Sequence, residues 1–599
     1  MDVVERRPGR VSGRALLAFL AVVAVVPWLL PNQYLVHVVV LAGLYVILAV
    51  GLNLVMGYAN QVSLGHAGFY GLGAYVSAVL SVRYGLSPWL GMPVAAVVTG
   101  ALAYVVGIPT LRLTSYYLGM ATLGIGVVLQ LAFVQLHGIT GGSSGLAGIL
   151  PWDLGPLRFS TSTQHYYLVW AFAGLALWVA RNLVNSRVGR VLRALGESEA
   201  AAEAMGVDTA AEKRRVFVLS AVFASVAGSL YAHYITVISP EIYSFLFSVV
   251  LVLMVAIGGI GLYWGAVVGA VLLTILPEAL RKFGDWEVPL YGLALIVVIL
   301  FLPRGIAGLF ARKGPVARAP APAARPVPLA SSSARSPGGG SAGQLLEVRG
   351  VSKQFGGVRA VRDCSFDVAE GEIKAVIGPN GAGKTTLFNV ITGFYAPTAG
   401  VVRFRGRPLT GLPAHRLARL GLSRTFQNVQ LFPSLTVVEN VMIGCERDAP
   451  GGFLGAALAL PGPRRRMRAE LERAERALAT VGLEALALVP AADLAFGQQK
   501  LVEVARALAA DPTLLLLDEP AAGLNTHEKV EMMRLIARVR DGGISVLLIE
   551  HDMRLVMGVS DRVVVLDHGE KIAEGSPAEV QRDPAVIRVY LGEDVAAVA

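Results

Sequence analysis

The chain has 599 residues, of which 54% are hydrophobic and only 16% are charged. A typical soluble domain carries about 25% charged residues, so the composition excludes a wholly soluble protein and an intrinsically disordered chain. Two cysteines, Cys364 and Cys445, are too few for a disulfide framework. The formal net charge of +10 is compatible with nucleic acid, anionic lipid or membrane topology as its cause.

The charge is distributed unevenly between two halves of the chain. Residues 1–344 hold 22 Lys+Arg and 12 Asp+Glu, whereas residues 345–599 hold 30 of each. Between them, residues 314–343 consist mainly of Pro, Ala, Ser and Gly, which is typical of a linker. We therefore predict a membrane domain at 1–313, a linker at 314–344 and a soluble domain at 345–599.

Ten apolar stretches in the first half are candidates for membrane spans. In chain order they cover residues 15–30, 34–56, 66–82, 89–108, 116–136, 166–180, 217–235, 245–260, 263–280 and 289–302. They predict a polytopic all-α membrane domain of about ten transmembrane helices, the first of them an uncleaved span rather than a signal peptide. Within this domain, small residues recur every fourth position at Ser63, Ala67 and Gly71 and at Gly261, Gly265 and Gly269, which predicts close helix packing.

The Lys and Arg residues of the membrane domain predict its orientation. With a cytoplasmic N-terminus, fifteen of them lie inside and four lie outside, namely Arg83, Arg158, Arg281 and Lys282. This asymmetry follows the positive-inside rule. An even number of spans independently returns the chain to the cytoplasm at residues 345–599, so the two inferences agree. The basic excess thus lies at membrane edges, which argues against nucleic acid as the partner.

Residues 185–215 form a long basic segment rich in Ala, Glu, Arg and Leu, which favours helix, with Gly206 breaking the pattern. The segment is either a solvated cytoplasmic loop or a helix that contacts the second half, and its charge and length do not decide between them. The cluster RRRMR at 464–468 is similarly either a lipid-facing patch or a solvated helix start, and we favour the second.

The second half contains a P-loop in its required context. A predicted strand at 372–378 leads into a glycine-rich run and then a predicted helix. Backbone N–H groups of such a loop point at nucleotide phosphates, while Lys384 is placed to reach the β and γ phosphates of ATP and Thr385 to bind Mg²⁺. The predicted phosphate-binding residues are Gly378, Pro379, Asn380, Gly381, Ala382, Gly383, Lys384, Thr385 and Thr386.

Acidic residues follow two further predicted strands. The strand at 513–517 ends in Asp518 and Glu519, which predicts a Mg²⁺ ligand and a group that polarises the attacking water. The strand at 544–549 is followed by Glu550 and His551, and His551 is placed to contact the γ phosphate. Gly497, with Gln498 beside it, opens a predicted helix and marks a second candidate phosphate-binding helix terminus.

Taken together, these motifs resemble an ATP-binding cassette (ABC) subunit with an α/β P-loop NTPase fold. The resemblance implies that Phe355 stacks on adenine, that Gln427 senses Mg²⁺ and the permease, and that residues 494–498 contact ATP on the opposite cassette. It also implies that Glu519 is the catalytic glutamate and His551 the switch histidine of an ATPase. The chain departs from the general cassette pattern at three positions, Ala495, Phe496 and Asn525.

The second half resembles the LivG-type cassettes of branched-chain amino-acid importers. The resemblance lies in Ala495, Phe496 and Asn525 and in the runs RTFQNVQLFPSLTVVENV, LDEPAAGLN and GSPAEVQRDPAVIRVYLGE. The first half resembles the LivM-type permease through GLNLVMGYANQVSLGHAGFYGLGAY, TGGSSGLAG, NSRVGRVLRAL, EAAAEAMG, SLYAHYITVISPE and FLPRGIAGLF. In that family the region matching 187–215 docks on the cassette, which implies coupling roles for Glu199, Ala200, Ala201 and Gly206.

The resemblance implies an importer that couples ATP binding and hydrolysis to uptake of branched-chain amino acids across the inner membrane. It implies a second permease, a second cassette and an extracytoplasmic binding protein as partners. Three alternatives stay open at this point: an importer of urea, short amides or another small solute, a nucleotide-gated membrane regulator without hydrolysis, and an exporter. An intact Asp518, Glu519 and His551 argues against the regulator.

Overall fold

The computed structural model describes residues 13–113, 115–154, 157–310, 343–448 and 452–591. The chain forms two compact units, and each unit includes a short segment from the other half of the sequence. The first unit comprises Met1–Gly196, Thr209–Pro315 and Gly452–Arg464, and the second comprises Glu197–Asp208, Val316–Gly451 and Arg465–Ala599. Most of the predicted linker, residues 314–342, lies outside the described residues.

Long helices build the first unit, and each of the ten predicted spans is helical. The helices are α1 (Gly13–Leu29), α2 (Gln33–Asn53), α3 (His66–Tyr84), α4 (Pro88–Thr110), α5 (Ser115–Gln135), α6 (His137–Thr140), α7 (Ser162–Val184), α8 (Arg187–Glu197), α9 (Glu199–Ala204, in the second unit), α10 (Thr209–Ile235), α11 (Phe245–Gly258), α12 (Tyr263–Leu280), α13 (Glu287–Phe301) and α14 (Ile306–Phe310). Helices suit the hydrocarbon region of a membrane because each helix satisfies its backbone hydrogen bonds internally.

Six helical runs are long and apolar enough to cross a membrane. They are Gln33–Tyr58, Pro88–Thr110, Tyr116–Gln135, Ser162–Val184, Thr209–Ile235 and Tyr263–Phe301, the last of which contains both α12 and α13. Two shorter apolar helices, α1 and α11, accompany them. The prediction of a polytopic all-α membrane domain is confirmed. The short strands of this unit are β1 (Leu146–Ala147), β2 (Asp153–Leu154), β3 (Leu157–Arg158) and β4 (Val237–Ile238).

Glycines allow close backbone packing in the membrane unit. A Cβ atom at Gly265 or Gly269 would overlap carbonyl oxygens of Gly259 and Met254 respectively, so α12 lies directly against α11 and the turn that follows it. At Gly71 a Cβ would lie 2.7 Å from ring atoms of Phe133 and Tyr243. The predicted packing role is therefore confirmed, although Ser63 and Gly261 precede the helices whose faces they were predicted to share.

The second unit, which we call the cassette unit after the predicted cassette domain, contains two sheets. Its strands are β5 (Gln344–Phe355), β6 (Val358–Ala369), β7 (Ile373–Ile377), β8 (Ala399–Phe404), β9 (Arg407–Pro408), β10 (Leu422–Arg424), β11 (Leu514–Asp518), β12 (Ser545–Ile549), β13 (Arg562–Asp567) and β14 (Glu570–Gly575). One sheet has the order β10-β11-β12-β7-β13-β14, in which only β14 runs antiparallel. The other has the order β6-β5-β8-β9 and is antiparallel.

Ten further helices follow in the second half of the chain within the described residues, and all but the first-unit helix α18 belong wholly or mainly to the unit that contains these sheets. They are α15 (Lys384–Ile391), α16 (Ala414–Leu420), α17 (Val437–Gly444), α18 (Phe453–Ala457, in the first unit), α19 (Pro461–Val481), α20 (Phe496–Ala509), α21 (Thr526–Asp541), α22 (Met553–Val559), α23 (Pro577–Arg582) and α24 (Pro584–Leu591). Every residue of β7, β11 and β12 is buried, which explains their near-continuous apolar sequences. The carboxyl ends of these parallel strands meet at one edge, where ligands commonly bind in such sheets.

We expect the substitution Gly269→Val to destabilise the membrane unit by about 1–3 kcal/mol, as overpacking typically does. The added side chain would overlap the carbonyl oxygen of Met254, a backbone atom that cannot rotate away. Heating detergent-solubilised protein and measuring the remaining monodisperse fraction by size-exclusion chromatography tests this expectation. Gly292→Val is the matched control, since no atom of the described residues lies within 4 Å of a Cβ at that position. Equal midpoints for the two variants would show that α11 and α12 tolerate separation.

Candidate functional site

The P-loop joins β7 to α15 at the carboxyl edge of the parallel sheet. Gly378, Gly381 and Gly383 have φ angles of +153°, +84° and +93°, which side chains on L-residues rarely permit. A Cβ at Gly378 would overlap the carbonyl oxygen of Leu566, and one at Gly383 that of Ala360. The loop therefore lies against neighbouring backbone, which fixes its curvature.

The loop also orients Lys384. The Lys384 side chain is largely buried, and its Nζ donates hydrogen bonds to the carbonyl oxygens of Gly378 (2.8 Å) and Pro379 (2.9 Å). Burial lowers the pKa of Lys384, while the nearby charges of Glu519 and Asp518 raise it. Of the other predicted loop residues, Asn380 and Ala382 lie within the turn, and Thr385 and Thr386 lie in the first turn of α15.

Asp518 ends β11 and is completely buried. Its Oδ2 accepts a hydrogen bond of 3.0 Å from Arg424, whereas its Oδ1 has no hydrogen-bond partner among the residues that the structure describes. Burial raises the pKa of Asp518, and the Arg424 guanidinium opposes that shift. An orphaned carboxylate oxygen in this position favours a cation, because a buried acceptor without a donor costs about 1–3 kcal/mol.

Glu519 and His551 lie together at the ends of two paired strands. The His551 Nδ1 atom is 3.7 Å from Glu519 Oε2, and the backbone N–H of Glu519 donates to the carbonyl oxygen of Ile549 at 2.9 Å. Glu519 has a φ of +47°, which is uncommon for a residue with a side chain and recurs at functional sites. The structure thus brings together both predicted catalytic residues.

Glu550 holds the turns that carry these two residues. Its carboxylate accepts from the backbone N–H of Ala521 at 2.8 Å and from that of His551 at 3.1 Å. Burial raises the pKa of Glu550, and these hydrogen bonds oppose the shift. The side chain therefore links the segment after Glu519 to the segment that carries His551.

Arg424 is a central residue that the sequence analysis missed. It ends β10, and besides Asp518 it donates to Thr392 Oγ1 (3.0 Å) and to Asn389 Oδ1. Its guanidinium also lies over the ring of Phe426 at 5.2 Å. The available signal was an arginine three residues before Gln427.

Lys500 is a second residue that was missed. It is buried in α20, and its Nζ donates to the carbonyl oxygens of Gln427 (2.9 Å) and Glu519 (3.4 Å). This side chain connects the backbone at Gln427, which we call the glutamine segment with the residues that follow it to Ser434, to the backbone of the predicted catalytic glutamate. A lysine in the helix that begins at Phe496, directly after the two glutamines, was the sequence signal.

The other predicted nucleotide contacts lie in separate places. Phe355 ends β5 and is partly exposed, with the Tyr395 ring centroid at 5.2 Å and Lys353 Nζ 4.9 Å above its ring. Gly497 is so close to α21 that a Cβ there would lie 2.5 Å from Glu528 Oε1. Gln498 accepts a hydrogen bond from the backbone N–H of Ala495 at 3.2 Å. Among the described residues, these contacts do not join Gly497 or Gln498 to the P-loop.

The described residues contain no group of three or more His, Cys, Asp or Glu side chains that could hold a metal ion. The predicted Mg²⁺ ligands are of a different kind, since they combine the hydroxyl of Thr385, the amide of Gln427 and the carboxylate of Asp518. Oxygen ligands of this sort, few in number and completed by phosphates and water, are typical of Mg²⁺ in nucleotide sites. The residues present fit the ion.

Residues 197–208, which the sequence places between membrane helices, pack on the cassette unit. Ser198 Oγ donates to Gln430 Oε1 at 2.9 Å, and the backbone N–H of Ser434 donates to Glu197 Oε1 at 3.0 Å. Both cassette residues follow Gln427 closely in the chain. Ser198 also caps α9 by accepting from the backbone N–H of Ala201.

A second set of contacts involves the other end of α9. His415 Nδ1 lies 3.5 Å from Glu203 Oε1, and Arg419 donates to the carbonyl oxygen of Gly206 at 3.4 Å. Gly206 has a φ of +92°, which explains the break that its sequence predicted. Of the predicted coupling residues, Ala201 and Gly206 are buried in this unit, whereas Glu199 and Ala200 are exposed.

Known families and proteins resemble both halves of the chain. Residues 34–303 match the permease component of the branched-chain amino acid transport system, 361–522 match the ABC transporter family, and 570–596 match the branched-chain amino acid ATP-binding cassette transporter family. The high-affinity branched-chain amino acid transport ATP-binding protein LivG of Salmonella typhimurium is 47% identical over 250 residues, which cover 42% of this chain and 98% of LivG.

Two further similarities concern the ATP-binding cassette, as the similarity to LivG does. The high-affinity branched-chain amino acid transport ATP-binding protein BraF of Pseudomonas aeruginosa is 46% identical, again over 42% of this chain and 98% of BraF. A crystal structure of a nucleotide-free ATP-binding cassette from an ABC transporter is 33% identical, covers 42% of this chain and all of that chain, and has a TM-score of 0.38.

We expect Arg424→Met to destabilise the cassette by about 3–5 kcal/mol at neutral pH, because it leaves the buried Asp518 carboxylate without its cation. Without Arg424 the folded-state pKa of Asp518 rises further above its unfolded value of about 3.9. The loss of folding stability relative to the parent protein should therefore be small near pH 4, where Asp518 is protonated in both folded proteins. It should grow as the pH rises from the folded-state pKa of the parent to the higher folded-state pKa of the variant.

Thermal unfolding of the parent protein and the variant across this pH range measures the effect. The control is Arg362→Met, which removes an exposed ion pair with Glu570 and should cost at most about 1 kcal/mol. A deficit for Arg424→Met that does not change with pH would show that Asp518 is not the group left uncompensated.

Proposed function

This chain belongs to the branched-chain amino acid ABC transporters, with a permease and an ATP-binding cassette in one polypeptide, and we propose that it imports branched-chain amino acids. Its cassette is an ABC ATPase whose hydrolysis is coupled to transport. The observation that carries the proposal is that residues 197–208, within the permease sequence, are hydrogen-bonded to the cassette three to seven residues after Gln427. A permease segment bound there links cargo movement to the nucleotide site.

We propose that the P-loop residues 378–386 cradle the phosphates of ATP, with Lys384 turning from its own loop carbonyls to the β and γ phosphates. Phe355, exposed at the end of β5, would stack on adenine. Thr385, Gln427 and Asp518 would hold Mg²⁺, and the orphaned Oδ1 of Asp518 supports this assignment. The bound ion supplies positive charge beside the phosphates.

Glu519 is proposed to orient and deprotonate the attacking water, and His551 to contact the γ phosphate. The 3.7 Å separation of their side chains supports a shared site, and Glu550 and Lys500 hold the two backbone segments in place. Gly497 and Gln498 are proposed to contact ATP bound to a partner cassette, since they open a helix whose N-terminus favours anions.

Transport then requires partners. One chain supplies one permease and one cassette, so we propose a second permease, a second cassette and an extracytoplasmic binding protein as further subunits. The protein is a membrane protein, and we propose that it lies in the bacterial inner membrane with its N-terminus and cassette in the cytoplasm, as the distribution of Lys and Arg supports. ATP drives the change only if one state of the assembly binds it more tightly.

We expect Glu519→Gln to lower ATP turnover of the assembled transporter by about 100- to 10,000-fold while ATP binding remains, because the amide cannot accept the proton of water. Measured ATP hydrolysis and nucleotide binding test the two parts separately. Glu531→Gln is the matched control, since Glu531 is an exposed glutamate of α21 paired only with Arg534 among its described ion pairs. Turnover retained by Glu519→Gln would reject Glu519 as the base.

A vesicle uptake assay with a panel of solutes identifies the cargo, and the same variants show whether the uptake depends on ATP hydrolysis. We expect ATP-dependent uptake of labelled leucine that unlabelled isoleucine and valine suppress and urea does not, and Glu519→Gln should abolish it. Urea or short-amide uptake in place of leucine would favour the alternative importer. Absence of both ATP hydrolysis and solute uptake in the full assembly would favour the regulator.

We expect Glu203→Ala and Ser198→Ala to lower cargo-stimulated ATP hydrolysis more than basal hydrolysis. Each removes a side-chain contact that holds residues 197–208 on the cassette, and neither touches the predicted nucleotide site. The ratio of stimulated to basal hydrolysis is the quantity to measure. Glu484→Ala, an exposed glutamate elsewhere on the cassette, is the control. An unchanged ratio in both variants would exclude this segment as the coupling element.

A further inference from the structure

Residues 452–464 interrupt the cassette sequence, but they pack with the membrane unit. The short helix α18 lies against α7, and Asn182, in the last turn of α7, donates a hydrogen bond of 3.0 Å to the carbonyl oxygen of Ala457. Ala456 and Ala457 are buried. The cassette half therefore contributes a segment to the end of a membrane-spanning helix.

The segment has a defined fold of its own. The backbone N–H of Leu460 donates to the carbonyl oxygen of Gly455 at 2.9 Å, and that of Ala459 to Ala456 at 3.1 Å. Ala459 has a φ of +55°, so the chain reverses there and leads into α19 at Pro461. The turn is a folded element rather than an extended connection.

Apolar side chains cover the outer face of this element. Leu454, Leu458 and Leu460 are 74%, 54% and 49% exposed, although the alanines between them are buried against α7. Three leucines exposed within seven residues are unusual for a surface in water, and a membrane interface is an environment that buries them.

Basic residues follow at once. Arg465, Arg466 and Arg468 are exposed in the first two turns of α19, and residues 461–469 include no acidic residue. The last turn of α7, on which the element packs, precedes the basic segment 187–215, which the charge distribution assigns to the cytoplasmic side. The cytoplasmic leaflet carries the anionic lipids that such a cluster attracts.

From this placement we propose that residues 453–468 bind the cytoplasmic leaflet, with Leu454, Leu458 and Leu460 in the headgroup and acyl boundary and the arginines on anionic lipid headgroups. The proposal rests on the orientation in the proposed function, but not on its cargo. It revises the preference for a solvated helix start at 464–468, because the exposed leucines directly before the arginines give the cluster an amphipathic context.

The test uses the full chain in lipid nanodiscs with a fluorescent label at Leu458→Cys. The two native cysteines are buried, so a nitrobenzoxadiazole label reacts preferentially at the introduced position. We expect phosphatidylcholine that carries a doxyl quencher to quench this label several-fold more strongly than the same label at Val530→Cys, an exposed position on α21 of the cassette. Leu454→Cys provides a second site on the element.

Adding phosphatidylglycerol should increase quenching at position 458, and reversing Arg465, Arg466 and Arg468 to glutamate should remove that increase. Quenching at 454 and 458 no stronger than at 530 would overturn the proposal. A blue-shifted emission that doxyl lipid does not quench would also overturn it, because that result indicates an apolar protein partner. Retained ATP hydrolysis in the nanodiscs, and retained leucine uptake by the same labelled protein in sealed vesicles, separate these failures from a failure of the proposed function.

Discussion

The hydrogen bonds that hold residues 197–208 on the cassette unit are the interaction on which the proposed coupling of cargo movement to ATP hydrolysis depends. Events in a permease and events at a nucleotide site affect one another only through a physical link. The link is small: a capped six-residue helix, Glu199–Ala204, fixed at one end by Ser198 and Glu197 and at the other by Glu203 and Gly206. Its contacts to Gln430 and Ser434 adjoin the glutamine segment, which Lys500 ties to the backbone of Glu519.

The chain exchanges segments in both directions. Residues 197–208 leave the permease sequence for the cassette unit, and residues 452–464 leave the cassette sequence for the membrane unit. Each exchanged segment makes specific contacts within the unit that it joins. The second segment also carries the three exposed leucines of the surface that we assign to the lipid leaflet.

Electrostatics govern the nucleotide site. Asp518 is buried and Glu519 is largely so, and such carboxylates are costly unless a cation compensates them. Arg424 donates a hydrogen bond to one carboxylate oxygen of Asp518, and the other oxygen, which has no hydrogen-bond partner among the described residues, supports the proposed role of Asp518 as a Mg²⁺ ligand. The buried ammonium group of Lys384 is compensated in a similar way, because it donates hydrogen bonds to two loop carbonyls and lies near both carboxylates.

Local composition, periodicity and motifs of contiguous residues were sufficient to predict the membrane spans, the P-loop, the acidic strand ends and the pairing of a permease with a cassette. Contacts between residues far apart in the chain became visible only in the folded structure. Arg424 and Asp518 are 94 residues apart in the chain, and no local pattern records that they share a buried hydrogen bond. The sequence likewise left residues 185–215 and 464–468 open between solvated and bound states, since an amphipathic helix has the same sequence whether water, lipid or protein covers it. For the first segment the neighbouring surface decides, because Gln430, Ser434 and His415 contact residues 197–203.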